Sequence, residues 1–344
     1  MPHSLRHIIL SRTDGIGDMM LTLPLAGYIK QQSPTTRITM LARAYTVPIA
    51  ESCAHIDDVL VWRDPTNFRD VSPLIQLPPA DAFIHVFPHR TIARLAADHH
   101  IPIRIGTSHR LYHWWTCNRL VNLGRKNSSL HEAQLNCRLA EPLFATDAPI
   151  AKHDIPALYG FTPRSSAPAS ITTSTDFSRT IILHPLSQGS APRWHLTQWR
   201  ILIEHILAQG WRVIITGSQR EALTLEPLMA LFAESLRSGA IINTCGQLSL
   251  HQLISVIAQA SALIAASTGP LHIAAALGIP CIGLYVRKRP FHAQRWGPLG
   301  QQTHIIEADT TSCVRCSSGT CVCMDSIQPS AVLEKLCTMI QSSA

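Results

Sequence analysis

Residues 264–285 of this chain, IAASTGPLHIAAALGIPCIGLY, decide its fold. They read as a buried strand, a tight polar turn, one short helix and a second buried strand. Pro270 suits a first helical position, where its missing N–H is no loss, and Gly278 suits the position just past the helix end. The turn Ser267-Thr268-Gly269 presents hydroxyls and backbone N–H groups at a helix N-terminus, where the dipole favours an anion. His272, one step into the helix, leans over the same opening. Alone, the stretch fits an ordinary βαβ crossover as well as one that holds phosphate.

Working outward, residues 7–30, HIILSRTDGIGDMMLTLPLAGYIK, give a short apolar strand, a glycine turn at Gly15 and Gly17, and an apolar helix with Asp18 in its first turn. A dinucleotide fingerprint would need a third glycine, and Met20 follows instead, which weighs against a nicotinamide oxidoreductase. Together with STGPLHIAAALGIP, this stretch resembles glycosyltransferase family 9, the ADP-heptose:lipopolysaccharide heptosyltransferases. Those proteins open with a strand, a loop ending in Gly-Asp, and a helix carrying Leu-Thr-Leu-Pro, here Leu21 to Pro24. The resemblance continues through residues 181–221, 243–270 and RWGPLG at 295–300. Several motifs in one order are far more specific than any one of them.

The chain has 344 residues, enough for two domains at roughly 100–200 residues each. With 46% hydrophobic and 15% charged residues, it is a globular composition rather than a disordered one. The formal charge of +7 and a pI near 9.0 suggest an acidic partner. No basic run reads as a nucleic-acid arm, so nucleic acid is not expected. No apolar run reaches the ~18 residues a membrane span needs. The apolar run before Ser11 is too short for a signal peptide, so a cytoplasmic protein is expected.

Six of the ten cysteines are scattered, many of them in apolar segments, and read as reduced core thiols. Cys313, Cys316, Cys321 and Cys323 cluster as a zinc or iron knuckle could, yet the last pair is too close for one with two matched Cys-x2-Cys arms, and metal binding there stays open. The resemblance implies that transfer needs no metal, and no metal site is assigned.

Apolar runs predict strands at 8–10, 38–41, 59–62, 83–86 and 103–105, then at 180–183, 213–216, 241–243, 262–266 and 281–285. They alternate with helical stripes such as Trp199, Leu202, Ile203, Ile206 and Leu207. Ser249 and Gln252 form a capping-box signature. This α/β pattern predicts parallel sheets covered on both faces. A Thr/Ser/Pro/Ala-rich stretch divides the chain into an N-terminal acceptor-binding domain at 1–161, a linker at 162–178 and a donor-binding domain at 179–344. That is the GT-B fold, two Rossmann-like doubly wound domains facing each other across a cleft, with ligands beyond the carboxyl ends of the strands.

Glycosyl transfer from a nucleotide diphosphate must stabilise the leaving diphosphate, deprotonate the acceptor hydroxyl and position the reacting carbon. An inverting displacement needs one carboxylate base. Asp18 matches the family's Gly-Asp position and is the candidate base; otherwise it is a first-turn acid complementing a helix dipole. Ser187 and the N–H groups of Thr268 and Gly269 are candidates for phosphate. Arg193 is a further one: the family usually places a lysine two residues before a tryptophan, and this chain has Pro192-Arg193-Trp194. The bland alternative is a solvated loop arginine. Glu221 matches the family's glutamate, which the resemblance implies accepts from the ribose, or else is a charge in a first helical turn. Ser267 stands where many members have an acid that bonds the heptose, and His272 matches the family's histidine and is read as orienting the donor.

Arg12, His89 and Arg90 are acceptor-side candidates. HRLYHWWTCNR, residues 109–119, mixes cations with aromatics. It fits an anionic saccharide seat at the edge of a lipid surface, or equally an amphipathic core helix with Trp114 and Trp115 inside. Arg287, Lys288 and Arg289 add to the positive field.

The expectation is an inverting transferase moving heptose from ADP-heptose, or a similar nucleotide sugar, to lipopolysaccharide inner core. It would work without a cofactor, peripherally on the cytoplasmic membrane face, on an anionic glycolipid. The alternatives are another donor or acceptor on the same scaffold, or a nucleotide- or phosphosugar-binding protein without transfer.

Overall fold

The computed structural model describes residues 5–63, 75–125, 127–144, 149–172, 175–187, 189, 191–309 and 321–341. Contacts divide the chain into two units, Met1–Thr162 and Pro163–Ala344.

The first unit is built on six parallel strands: β1 (His7–Arg12), β2 (Arg37–Arg43), β3 (Asp58–Trp62), β4 (Ala82–His85), β5 (Ile103–Thr107) and β6 (Arg119–Val121). β1 and β4 lie side by side in the middle, Ser11 opposite His85, and the order across the sheet is β3-β2-β1-β4-β5-β6. The middle of β1 is apolar and covered on both faces, as in a parallel sheet between helices: Ile8, Ile9 and Leu10 are fully buried.

The second unit carries β7 (Thr180–His184), β8 (Arg212–Ile215), β9 (Ile241–Asn243), β10 (Ala262–Ala266), β11 (Cys281–Val286) and β12 (Thr303–Ala308), in the order β12-β11-β10-β7-β8-β9. Counted from each unit's own first strand, the two orders are the same. Each reverses direction at one place, between β1 and β4 and between β7 and β10, and open α/β sheets bind ligands at such reversals. The second core gathers Trp194 and Trp199, whose rings meet edge to face at 5.1 Å, with the helices Leu196–Ala208 and Pro329–Gln341 packed together.

The helix Leu196–Ala208 and the capping box of Ser249 and Gln252 form where their stripe and spacing place them. β6 and β12 were not expected. The stretch expected as a linker packs with the second unit: Ile171 is buried, and the Ser255 hydroxyl donates to the carbonyl of Ser165. Its apolar residues are few but sit where that unit can cover them. Cys313 and Cys316 lie outside the described residues; Cys321 and Cys323 are buried. Among the described residues no helix is long and apolar enough to cross a membrane.

Candidate functional site

In the first unit, β1 ends at Arg12 and the chain turns through Asp14 and Gly15 into the short helix Ile16–Met20. The side chain of Arg12 is buried, and it gathers three carboxylates. Its Nε donates to Asp14 Oδ1 at 2.6 Å, Nη2 to Asp18 Oδ1 at 2.5 Å, and Nη1 stands 4.0 Å from Glu132 Oε1. Arg125 shares Glu132 at 3.1 Å and donates to Asn136 at 3.0 Å, and Asn136 in turn donates to the carbonyl of Leu21. A fork of fixed donors suits a carboxylate cluster better than an ammonium would.

Asp18 thus keeps a partly exposed carboxylate whose direction is set through one oxygen, while Oδ2 takes no hydrogen bond among the described residues. Gly15 permits this, since a Cβ there would lie 3.2 Å from Oδ2. Burial pushes the Asp14 carboxyl up to about 6; neighbouring Asp18 adds to the rise and Arg12 opposes it.

His89 and Arg90 open the helix Arg90–Asp98 after β4. His89 caps it, accepting from the N–H of Ile92 at 3.5 Å, and its ring meets Trp62 at 5.6 Å. Arg90 is exposed. Of the acceptor-side candidates, Arg12 therefore joins Asp18 directly, whereas His89 and Arg90 stand at the end of the neighbouring strand.

The segment 109–119 settles one open alternative. His113, Thr116 and Cys117 are its buried members, His113 held through Nδ1 by the carbonyl of Thr107, while Trp114 and Trp115 are 61% and 70% exposed. Only the four residues His113–Thr116 are helical. The expectation of a core helix with both tryptophans inside is therefore corrected, because the single buried stripe is taken by His113 and Thr116.

In the second unit, Ser187 and Arg193 follow β7, Glu221 follows β8, and Ser267 to Gly269 follow β10, so these candidates rise from adjacent strands. Thr268 is the N-cap residue of the helix Gly269–Ala276, with Pro270 in its first turn and Gly278 at φ 75° just past its end. RWGPLG packs on that helix: a Cβ at Gly300 would lie 2.4 Å from the carbonyl of Ala275.

Glu221 closes a capping box, its Oε2 accepting from the N–H and hydroxyl of Ser218 at 2.7 and 2.8 Å. Ser187 donates its hydroxyl to the carbonyl of Ala191 at 2.8 Å, so it fixes the loop rather than offering a free proton. Ser267 is half-buried and hydrogen-bonded to the Tyr285 phenol. His272 is buried, and desolvation drives it down to about 4, so it is neutral near pH 7.

Four buried atoms of these candidates have no hydrogen-bond partner among the described residues: Arg193 Nε, Glu221 Oε1, Thr268 Oγ1 and His272 Nδ1. Each such atom costs about 1–3 kcal/mol while it stays unpaired. Donors and acceptors of this kind, on the segments that follow the adjacent strands β7, β8 and β10, can satisfy themselves on a polar, anionic ligand. Among the described residues, no cluster of three or more His, Cys, Asp or Glu could hold a metal ion.

Sequence reasoning missed Asp14, Glu132 and Arg125 of the Arg12 network. The Arg-x-Asp spacing was the signal for Asp14; Glu132 is joined only by the fold. It also missed His85, buried beside Ser11 on β1 and neutral through desolvation.

Comparison with known proteins agrees with this architecture. A Haemophilus influenzae protein provisionally named a glycosyltransferase is 28% identical over 308 residues, 85% of this chain and 86% of its own length. Lipooligosaccharide heptosyltransferase 2 of Haemophilus ducreyi is 24% identical over 328 residues, 87% of this chain and 88% of that one. The structure of Escherichia coli ADP-heptose lipopolysaccharide heptosyltransferase II superposes with a TM-score of 0.78 at 19% identity, covering 99% of this chain and 100% of that one, which shows a shared GT-B fold. The profile of glycosyltransferase family 9 (heptosyltransferase) matches residues 91–325, well over half of the sequence. With that match, the two parallel sheets and the motifs in family order, this chain belongs to glycosyltransferase family 9.

Proposed function

We propose that this transferase moves a heptose from ADP-heptose, or a closely similar nucleotide sugar, to the inner core of a lipopolysaccharide precursor with inversion at the transferred carbon. The acceptor oxygen attacks the anomeric carbon as the bond from that carbon to the diphosphate oxygen breaks. The acceptor proton passes to Asp18 Oδ2, the sugar joins the acceptor, and ADP leaves. Arg12 acts by orienting Asp18.

The second unit holds the leaving group. The guanidinium of Arg193 and the backbone N–H groups of Thr268 and Gly269 meet the diphosphate charge, with Ser187 shaping the loop. Glu221 offers Oε1 to the ribose hydroxyls, and neutral His272 orients donor groups by hydrogen bonding. Charge on the diphosphate is balanced by protein groups, so the reaction proceeds without a metal. The acceptor is an anionic glycolipid, and the protein works peripherally on the cytoplasmic face of the membrane.

One observation carries this reading: the four unpartnered buried atoms belong to Arg193, Glu221, Thr268 and His272, all named from the sequence as donor-side residues. Calorimetric titration with ADP-heptose and a panel of other nucleotide diphosphate sugars tests it. Selective binding of an adenosine diphosphate sugar, weakened by Glu221→Gln, is expected. No binding of any nucleotide diphosphate sugar would overturn it. A second reading, the same chemistry with another sugar, is favoured by Ser267: it offers a hydroxyl already shared with Tyr285 where many members offer a charge.

A further inference from the structure

Among the described residues of the first unit, Leu111, Trp114 and Trp115 are the most exposed large apolar side chains, at 77%, 61% and 70%. They stand on one turn, closed by the N–H of Trp114 donating to the carbonyl of Leu111, so their spacing puts them on one side. The platform beneath is firmly built. His113 is buried against the carbonyl of Thr107, the Thr116 hydroxyl donates to the carbonyl of Tyr112, and Trp114 Nε1 donates to the carbonyl of Ser108. Gly106 lets this turn lie close to β5, since a Cβ there would come within 2.5 Å of the His113 ring. A rigid support that turns two indoles outward contributes nothing to the unit's own core, and such patches mark surfaces that meet something else.

The surrounding charge says what that is. From 99 to 131 the sequence contains no Asp or Glu, yet carries Arg104, Arg110, Arg119, Arg125 and Lys126. Arg110, next to Leu111 in the chain, and Arg119, at the start of β6, are exposed and make no ion pair among the described residues. Packed against this turn, the helix Arg90–Asp98 adds exposed Arg90 and Arg94, with Asp98 paired to Arg94 at 3.6 Å. Indoles flanked by unpaired arginines suit the headgroup layer of an anionic bilayer: the rings sit at the boundary and the guanidinium groups meet phosphate.

We infer that Leu111, Trp114 and Trp115, together with exposed Arg90, Arg94, Arg110 and Arg119 of the same unit, form the surface by which this protein docks on an anionic lipid bilayer. This rests on the reading that the acceptor is a glycolipid presented at a membrane face, and it adds which surface makes the contact.

Sedimentation of the full chain with phosphatidylglycerol–phosphatidylcholine vesicles and with phosphatidylcholine vesicles tests it, beside calorimetric titration with ADP. The unaltered protein should bind the anionic vesicles at low salt and release them as salt rises. Trp114→Ser/Trp115→Ser should lower its partition coefficient by about tenfold or more, while Trp114→Phe/Trp115→Phe restores most of it. Arg110→Gln/Arg119→Gln should remove the preference for anionic vesicles, a loss of about tenfold or more at low salt. All variants should keep the ADP affinity and the unfolding midpoint of the unaltered protein.

Failure of the unaltered protein to bind anionic vesicles at low salt overturns the inference, as does unchanged vesicle binding in the serine variant. So does a dimer that the serine variant abolishes, which would give the patch to a second copy of the chain. Failure to bind ADP would instead strike the proposed transferase reading and leave the vesicle result standing.

Discussion

Arg12 Nη2 and Asp18 Oδ1 meet at 2.5 Å across the turn that leaves β1, so the carboxylate at the start of the first helix is aimed by a guanidinium buried beneath it. A first-turn acid that served only the helix dipole would need no such partner. The pairing occupies one carboxylate oxygen and leaves the other for a proton.

Asp18→Asn keeps the shape of the side chain and removes its basicity. Turnover should fall by ~10²–10⁴-fold, with ADP-heptose affinity changed little, because the donor-side groups lie on the second unit. Steady-state kinetics beside calorimetry check this, and near-normal turnover would remove Asp18 from the mechanism.

Arg12→Met should destabilise the protein by about 3–5 kcal/mol, since it takes the buried cation from Asp14 and Asp18 and leaves Glu132 to Arg125 alone. Arg12→Lys should recover only part, because one ammonium cannot span Asp14 and Asp18 at their separate positions. Urea unfolding gives the numbers; a loss below about 1 kcal/mol would mean the cluster is solvated enough to do without Arg12.

His272 and Asp14 pull the pH dependence of stability in opposite directions. The ordinary histidine value is 6.5 and the folded value about 4, so only the unfolded chain takes up the proton between them. His272's contribution is thus present above pH 6.5 and lost as pH falls towards 4, by about 3 kcal/mol in all. Asp14 runs from 3.8 unfolded to about 6 folded, so its folded form holds the extra proton and stability falls as pH rises through that window. His272→Gln should therefore gain on the unaltered protein at pH 5 relative to pH 7, and Asp14→Asn should gain at pH 7 relative to pH 4. Thermal unfolding across a pH series reads both, and parallel profiles for all three proteins would refute the assignment.

Chelation with EDTA should leave turnover intact if Arg193 and backbone N–H groups balance the diphosphate charge. An absolute requirement for Mg²⁺ or Mn²⁺ in the transfer assay would contradict that division of labour.

Gly27 lies where the helix Leu23–Gln32 crosses the 3₁₀ segment Lys152–Leu158, and a Cβ there would come 2.1 Å from the carbonyl of Leu158. Gly27→Ala should destabilise by about 1–3 kcal/mol, as backbone must move from backbone. An unchanged denaturation midpoint would show that the crossing is loose.

The strands most legible in the sequence are those buried on both faces, such as β10 and β11, whose apolar runs leave little choice of element. β6 is three residues with only Val121 buried, and β12 lies half-covered at a sheet edge, so neither carries a strong run. Thr268 and His272 could be singled out because a helix start and its cap are local signals. The partnership of Arg12 with Glu132 could not, since it joins the end of β1 to a helix far along the chain, Glu132–Cys137. The exposure of Trp114 and Trp115 was hidden for a related reason: residue type favours burial, and only the fold shows that His113 has taken the inward place.

The chain passes from one unit to the other at Thr162 and Pro163, and each unit closes its own six-stranded sheet with no strand borrowed from the other. The backbone there acts as a tether, and its thermodynamic effect is an effective concentration that keeps the proposed base and the proposed donor site on one molecule. Severed at that point, the two units would have to meet by diffusion, and any activity that needs both would depend on dilution, where the intact chain's does not.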